Sequence, residues 1–286
     1  MKQPYCKVKN LVLGGGIVGQ MVNALLPVYV IEKNPAPKKP NQAFGTNYLW
    51  EPIPIFDTKE MEIVTQVDGQ DATEESIRRY KTKIGKTHEK ADEWGLQFQP
   101  VTTGHFIVNY PEVDILYGHE VSSIDLKEYD VYINTSDSTL RFKYDRLIST
   151  IPLNNLVMLA GMDRKFPVKT IFKYKQVYVK IVPKPLDAPK PDGVIYVNYL
   201  SDPLIEPYRY CDRFGERHYE SLLPIGFPHK RLYPGKLWKN PLIFTVLEAL
   251  ERENVYCLGR YGRWNPNELL HETYKDLITR IEEWKN

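Results

Sequence analysis

The chain has 286 residues, 42% of them hydrophobic and 26% charged, with a formal net charge of +2. This is the composition of an ordinary globule long enough for one or two domains, and a charge so near neutral selects no polyanionic partner by itself. Cys6, Cys211 and Cys257 show no metal-binding spacing and are too few for a disulfide framework, which points to a reducing compartment. No apolar run reaches the roughly 18 residues that span a bilayer. The first strand starts almost at once, leaving no room for a secretion signal. A soluble cytoplasmic protein with no membrane partner is expected.

The first elements are a buried strand through Leu11-Val12-Leu13, a turn Gly14-Gly15-Gly16 and a helix opening at Ile17-Val18-Gly19. A second strand, Val28-Tyr29-Val30-Ile31, ends at Glu32 and Lys33. Gly14 permits a sharp turn, Gly16 lets a pyrophosphate approach the backbone, and Gly19 allows close helix packing. The N–H groups of Ile17 and Val18, with the positive end of the helix dipole, suit phosphate. Glu32, eighteen residues after Gly14, is placed to accept hydrogen bonds from a ribose diol. The helix is short, because Pro27 stops it after about two turns. The same pattern also describes a tight βα turn that binds nothing.

Residues 34–54 are proline-rich and polar, with Phe44-Gly45-Thr46-Asn47-Tyr48-Leu49-Trp50 inside. They read as an ordered loop over a ligand or as a surface loop anchored by Trp50. From Ala72 to Trp94 the pattern is helical, with anchors Ile77, Tyr80, Ile84 and Trp94 and a start at Thr73, Glu75 and Ser76. The cations Arg78, Arg79, Lys81, Lys83, Lys86 and Lys90 read as a solvated face or as a footing for a phosphate-bearing substrate. Strands follow at Gly104–Val108 and Asp114–Tyr117, then a hairpin of Val131–Ile133 with Leu140–Phe142. A buried strand, Tyr144–Ile151, ends before Pro152.

Thr170–Ile181 alternates as one long strand, and Val194–Tyr199 and Tyr208–Tyr210 continue a second sheet. Lysines and tyrosines interleave here and at His229–Tyr233, as in an amphipathic sheet or a nucleic-acid surface. The strand Asn254–Leu258 leads into Gly259-Arg260 and then a final helix. Its expected start has Asn265 as N-cap, Pro266 as first residue and Glu268 as the returning acid. Leu270, Tyr274, Leu277, Ile278, Ile281 and Trp284 form its apolar stripe.

Taken together, Gly14, Gly16, Gly19, Glu32, Val121, Ile148–Pro152 and Val255–Arg260 resemble flavoproteins of the amine oxidase, protoporphyrinogen oxidase and UDP-galactopyranose mutase group. Tyr208-Arg209 also resembles the strand that returns toward the flavin there. The resemblance touches about two-thirds of the chain. It implies an α/β fold, with a Rossmann-like FAD-binding domain (1–70, 101–160, 245–286) and a discontinuous smaller α+β substrate domain (71–100, 161–244). FAD is the implied cofactor. Gly14, Gly16, Ile17, Val18 and Gly19 would hold its pyrophosphate, Glu32 and Lys33 would lie at its ribose, and Val121 at its adenine. Gly259 and Arg260 would lie by the pyrophosphate and ribityl chain, with Asn267 and Glu268 at the pyrimidine edge of the ring. A helix N-terminus there stabilises negative charge on reduced flavin.

The implied activity is an FAD-dependent oxidoreductase of amine oxidase type. Hydride would pass to the flavin from a carbon bearing nitrogen, and the imine would hydrolyse. Arg209 or Arg263 could take a substrate carboxylate, Tyr208 and Trp264 could wall the flavin, and His105 or His218 could act as bases. Expected partners are a small-molecule amine or a nucleotide-linked substrate. The compact size also resembles flavoproteins of phages that hypermodify thymine, where an amino-acid adduct such as glycinyl-thymine on modified DNA is oxidised. Two alternatives remain: a mutase-like flavoenzyme acting on a nucleotide sugar without net oxidation, and a non-catalytic FAD- or NAD-binding protein. No metal site is expected.

Overall fold

The computed structural model describes residues 5–36, 48–87, 101–135, 138–183, 193–213, 216–224, 226 and 230–285. Strand β1 (Tyr5–Leu13) leads through the glycine turn into helix α1 (Ile17–Leu25) and strand β2 (Tyr29–Glu32). Strands β3 (Tyr48–Leu49), β4 (Asp57–Val67) and β5 (Gln70–Asp71) precede helix α2 (Glu74–Thr87). Next come β6 (Val101–Asn109), β7 (Ile115–Tyr117), β8 (Glu120–Asp125), β9 (Asp130–Asn134) and β10 (Thr139–Ser149). Helices α3 (Leu153–Leu159) and α4 (Val168–Ile171) lead into β11 (Tyr174–Pro183), β12 (Val194–Tyr199), β13 (Pro207–Arg213), β14 (Glu216–Ser221) and β15 (Lys230–Leu237). Helix α5 (Leu242–Glu251), strand β16 (Val255–Cys257), the short helix α6 (Gly259–Gly262) and helix α7 (Leu270–Lys285) complete the described chain.

The first sheet runs β7-β2-β1-β10-β9-β8, with β16 against the second half of β10. The pairs β7–β2, β2–β1, β1–β10 and β10–β16 are parallel, whereas β9 and β8 are antiparallel. Helices cover both faces, which is why Leu11, Val12 and Leu13 form an unbroken apolar run. Helices α1 and α7 close one face over Val12, Val30 and Ile148, using Met21, Val22, Leu277 and Ile281. Helices α3 and α5 close the other over Leu13, Ile31 and Leu147, using Leu153, Leu156, Val246 and Leu250.

The second sheet runs β15-β11-β14-β13-β12-β4-β6-β3, with β5 beside β4. Only its β12–β4 pair is parallel. Helix α2 lies on it, packing Tyr80 with Val67 and Tyr208. The helix is capped as a reciprocal pair: the Ser76 N–H donates to Thr73 Oγ1 at 3.2 Å and the Thr73 N–H to Ser76 Oγ at 2.9 Å.

Three local expectations change. The hairpin strand Leu140–Phe142 and the buried strand from Tyr144 are one strand, β10, because its first half pairs with β9 and its second with β16. The long strand expected from Thr170 begins at Tyr174, since Pro167 opens a helical turn over residues 168–171. The domain boundaries drawn from sequence also differ from sheet membership. Strands β3, β4 and β6, assigned to the cofactor domain, pair into the second sheet with β12, because local patterning does not reveal which distant strand a strand will meet. The loop 44–47, the continuation of α2 to Trp94 including Lys90, and His229 lie outside the described residues.

Leu277 is fully buried where α7 meets the sheet. Leu277→Ala is expected to lower the unfolding free energy by about 3 kcal/mol, measured by urea denaturation.

Candidate functional site

The glycine turn sits at the carboxyl end of β1. Gly14 has φ +99°, which its lack of a side chain permits, and its N–H donates to the carbonyl of Ile31 at 2.8 Å. A Cβ on Gly19 would lie 1.9 Å from the Gly14 carbonyl oxygen, so helix α1 approaches the turn as only glycine allows. Gly16, the N-cap of α1, is different: a Cβ there would meet nothing within 4 Å. The first helical bond runs from the Gln20 N–H to the Gly16 carbonyl at 3.0 Å, leaving the N–H groups of Ile17 and Val18 ahead of it. That is the geometry of an anion cradle at a helix N-terminus.

Glu32 faces this cradle from the end of β2. Its Oε2 accepts the Gly15 N–H at 2.8 Å, and its Oε1 accepts the Asn34 N–H at 2.8 Å. The carboxylate therefore braces the turn as well as bordering the cradle. Lys33 is exposed beside it. Val121 belongs near the same place, because the preceding turn donates the His119 N–H to the Glu32 carbonyl and the Gly118 N–H to the Asn34 carbonyl, both at 3.0 Å.

The C-terminal motif meets the N-terminal one. Gly259 has φ +77°, and a Cβ on it would lie 2.8 Å from Val18 Cγ2. Arg260 follows on α6, its Nε buried and without a hydrogen-bond partner among the described residues. Helix α7 begins later than expected. Its first turn is closed by Glu272, which accepts the Leu269 N–H at 2.8 Å, while Asn265 instead forms an Asx turn onto the Asn267 N–H at 3.2 Å. Glu268, displaced from the capping role, is buried. Its Oε1 accepts Thr273 Oγ1 at 2.7 Å and its Oε2 has no partner among the described residues. Burial raises its carboxyl pKa, against the pull of Arg263 3.8 Å away and the Thr273 hydrogen bond.

A second group of polar residues lies where α6 meets the second sheet. The ladder between β13 and β14 slips by one residue between Pro207 and Arg209, so Tyr208 and Arg209 reach the same carboxylate. The Tyr208 hydroxyl donates to Glu220 Oε2, and Arg209 Nη2 to Glu220 Oε1. The Lys236 ammonium stands 5.4 Å from the centre of the Tyr208 ring. Tyr261 of α6 donates its hydroxyl to the Gly235 carbonyl at 3.3 Å, joining the two parts. Lys83 of α2 braces the loop before the bulge, donating to the carbonyls of Leu200 and Ile205 at 2.9 Å and of Pro207 at 3.2 Å.

Burial works against every charge in this group, and the neighbours decide the outcome. Burial alone would raise the Glu220 pKa, but Arg209, Lys236 and the Tyr208 hydroxyl hold it down at about 2. Burial and the Arg209 charge bring the Lys236 amine down to about 7, with Glu220 opposing and Arg260 adding to the fall. Burial raises the Tyr208 hydroxyl well above its usual value, helped by Glu220.

The structure thus brings Tyr208 and Arg209 toward Arg260, but it separates Arg263 and Trp264 from them. Arg263 turns to the Cys257 carbonyl at 3.0 Å and to Asp276, because α7 packs beside it. Trp264 is a core residue, 2% exposed, with its ring edge-on to Phe172 at 5.2 Å and to Tyr174 at 6.0 Å. It therefore does not stand as an open wall. His218 is buried beside Glu216, with Nε2 3.1 Å from its Oε2, and His105 lies mid-strand in β6. Cys257 is packed, its thiol pushed up to about 12 by burial. Sequence reading missed Glu220, Lys236 and Tyr261. Lys236 sits in a stretch too basic to single out, and Glu220, buried two residues after His218 in β14, meets Tyr208 and Arg209 only through strand pairing.

No protein-family model matches the chain, and no curated protein matches it. Solved structures share its fold. A reduced UDP-galactopyranose mutase superposes with TM-score 0.62 at 13% identity, covering 96% of this chain and 94% of its own. A CLA-producing fatty acid isomerase from P. acnes superposes with TM-score 0.56 at 12% identity, covering 95% of this chain and 98% of its own. The likeness establishes the architecture, a Rossmann-like α/β domain joined to a second sheet, and fold alone does not fix an activity.

Two outcomes test this geometry. Gly19→Ala should lose about 2 kcal/mol of stability in urea, because its Cβ has no room against the Gly14 carbonyl. Glu220 has a folded pKa below its unfolded value, so its contribution is present above about pH 4.5 and is lost as pH falls toward 2. Glu220→Gln should remove that acid-limb dependence from an unfolding titration. It should also cost about 3 kcal/mol at neutral pH by stranding Arg209.

Proposed function

We propose that the chain is an FAD-dependent flavoenzyme, an oxidoreductase acting on the carbon–nitrogen bond of an amine or amino-acid-like substrate. The observation that carries the reading is the meeting of the two glycine motifs. Gly259 packs on Val18 beside a helix N-terminus that stays open at Gly16. The residues fit a dinucleotide cofactor: the cradle has room where a Cβ would point, Glu32 borders it, and Arg260 Nε and Glu268 Oε2 are buried polar atoms without partners among the described residues.

In this reading the N–H groups of Ile17 and Val18 and the start of α1 hold the pyrophosphate. Glu32 accepts from the ribose while bracing Gly15, and the Val121 backbone lies at the adenine. Arg260 compensates phosphate charge. Residues 267–270, at the start of α7, face the flavin ring and favour negative charge on it. Bound FAD supplies the two-electron redox chemistry, and the protein supplies binding, orientation and electrostatics. The buried polar group of the second sheet orients the substrate, and its low-polarity surroundings exclude water.

One observation favours a second reading, a mutase-like reaction on a nucleotide sugar. The polar group sets Arg209 and Lys236 around the Glu220 carboxylate, with Arg260 near Lys236, a gathering of cations that also suits a diphosphate. The superposition on a UDP-galactopyranose mutase is compatible with either reading.

Purified protein is expected to carry, or to take up, a flavin that gives it a yellow absorption spectrum. Protein that stays colourless after incubation with FAD overturns the proposal. Gly16→Ala should keep its stability within about 0.5 kcal/mol, yet bind FAD at least about tenfold more weakly, a loss of roughly 1.4 kcal/mol. Anaerobic bleaching of the flavin by amines, but not by UDP-galactose, separates the first reading from the second.

A further inference from the structure

We infer that the outer face of α5 is a twofold self-association surface, on which a second copy of this chain packs antiparallel and sets its Phe244 over the groove beside the helix. The inference is independent of the cofactor.

Helix α5 reads Leu-Ile-Phe-Thr-Val-Leu-Glu-Ala-Leu-Glu, with seven apolar residues in ten. Ile243, Val246 and Leu250 recur at helical spacing and are buried in the core over the first sheet. That stripe is all the sheet requires. Leu242 and Phe244 lie outside it, 52% and 74% exposed. A surface helix ordinarily carries one apolar stripe, and one that is apolar on further sides is covered on further sides. Phe244 is therefore a ring that packing within the chain leaves in water.

A groove of about 720 Å³ runs beside it. Its floor is the outer edge of β16, which pairs with β10 alone among the described residues. Its walls are α5, α7 and the turn at Trp264 to Pro266, with Leu247 and Pro266 contributing apolar surface. An exposed ring and a hollow thus adjoin on one patch. A twofold axis through such a patch delivers each copy's ring to the other copy's hollow, which is what an isologous interface needs.

The charges of the patch select the occupant. Arg263 is held by Asp276, and Arg280 lies 3.1 Å from Asp276 and 2.6 Å from Glu251, so the far wall of the groove is neutral by itself. Lys239 and Glu248 also line the groove, both exposed and neither with an ion-pair partner among the described residues. They flank the apolar stretch, and the midpoint between them falls at residues 243 and 244. Antiparallel packing of a second α5 about an axis at that midpoint brings each Lys239 to Glu248 of the other copy and places both Phe244 rings near the axis. A partner of one sign would set one of the two charges against its like, and an uncharged surface would answer neither. A second copy answers both. The rim pairs fix register and contribute little singly, whereas the aromatic ring is the anchor.

The test is sedimentation equilibrium of the purified chain from about 1 to 100 μM, the range of a modest self-association. The mass should rise from 33.4 kDa toward twice that value. Phe244→Ser should weaken the dimer at least about tenfold, with its circular dichroism and urea midpoint unchanged, because the ring stands in solvent in the single chain. Lys239→Glu and Glu248→Lys, measured separately, should each weaken it about tenfold, since symmetry converts both cross-axis pairs into like charges. An equimolar mixture of those two variants should associate as tightly as the unaltered chain, because each then meets the opposite sign across the axis. That recovery belongs to antiparallel self-pairing and to no other occupant. Neutral phosphatidylcholine vesicles are sedimented with the chain in parallel. A mass that stays at 33.4 kDa throughout overturns the inference. So do a dimer that Phe244→Ser leaves intact, a mixture no tighter than its components, and a monomer whose Phe244 is needed instead for vesicle binding.

Discussion

One threonine hydroxyl connects the parts on which the rest of the structure depends. Thr150 follows β10, and its Oγ1 lies 3.0 Å from the Leu13 carbonyl and 3.1 Å from that of Gly14, while its N–H donates to Leu13 at 2.9 Å. The parallel pairing of β1 with β10 delivers this side chain to the glycine turn from a point 136 residues away in sequence. Each such bond is worth only about 1 kcal/mol, but their placement fixes where the turn sits. Gly14 must then lie close enough for Gly19 to rest on its carbonyl, and that contact aims α1 at the cradle. On the other side, Ser149 accepts the Leu258 N–H and seats the residue before Gly259. Both glycine motifs are therefore referenced to the end of one strand.

The same feature explains what sequence could and could not reveal. The cradle was legible because its spacing is local: Gly19 rests on the Gly14 carbonyl five residues earlier, and Glu32 follows at the end of the next strand. The buried run of β1 announced a strand covered on both faces. The second sheet was legible only as strands. Its inclusion of β4 and β6 depends on pairing β4 in parallel with β12, about 130 residues on, and alternation carries no record of a partner. The site residues divide in the same way. Arg209 and Tyr208 were visible as a motif, but Glu220 and Lys236 join them only through tertiary pairing. The late start of α7 has a local cause. Asn265 spends its side chain on an Asx turn, and Glu268 finds Thr273 inside the fold, so Glu272 takes the capping role.

The two polar regions differ in how they handle charge. The cradle uses backbone N–H groups and a helix end, fixed partial charges that need no counter-ion. The seam between α6 and the second sheet uses full charges, with the Arg209 guanidinium and the Tyr208 hydroxyl gathered on the Glu220 carboxylate. The four residues of α6 link the two regions, Gly259 packing on Val18 and Tyr261 reaching the Gly235 carbonyl.

The arrangement of β10 has a consequence for how the protein is made. Its parallel partners are β1, which precedes it by more than a hundred residues, and β16, which follows it by about as many. Long-range parallel pairing is slow, since loop closure must occur before any contact rewards it. The cradle's own turn leaves the ribosome more than two hundred residues before its neighbour Gly259. The second sheet, completed by residue 237, is synthesised in between. Until the strand at 255–257 docks, the open end of α1 lacks the packing of Gly259, and the apolar faces of β1 and β10 await α7. A ligand that bridges residues 14–19 and 259–260 would therefore be captured late in biogenesis and would act as the clasp that closes the fold.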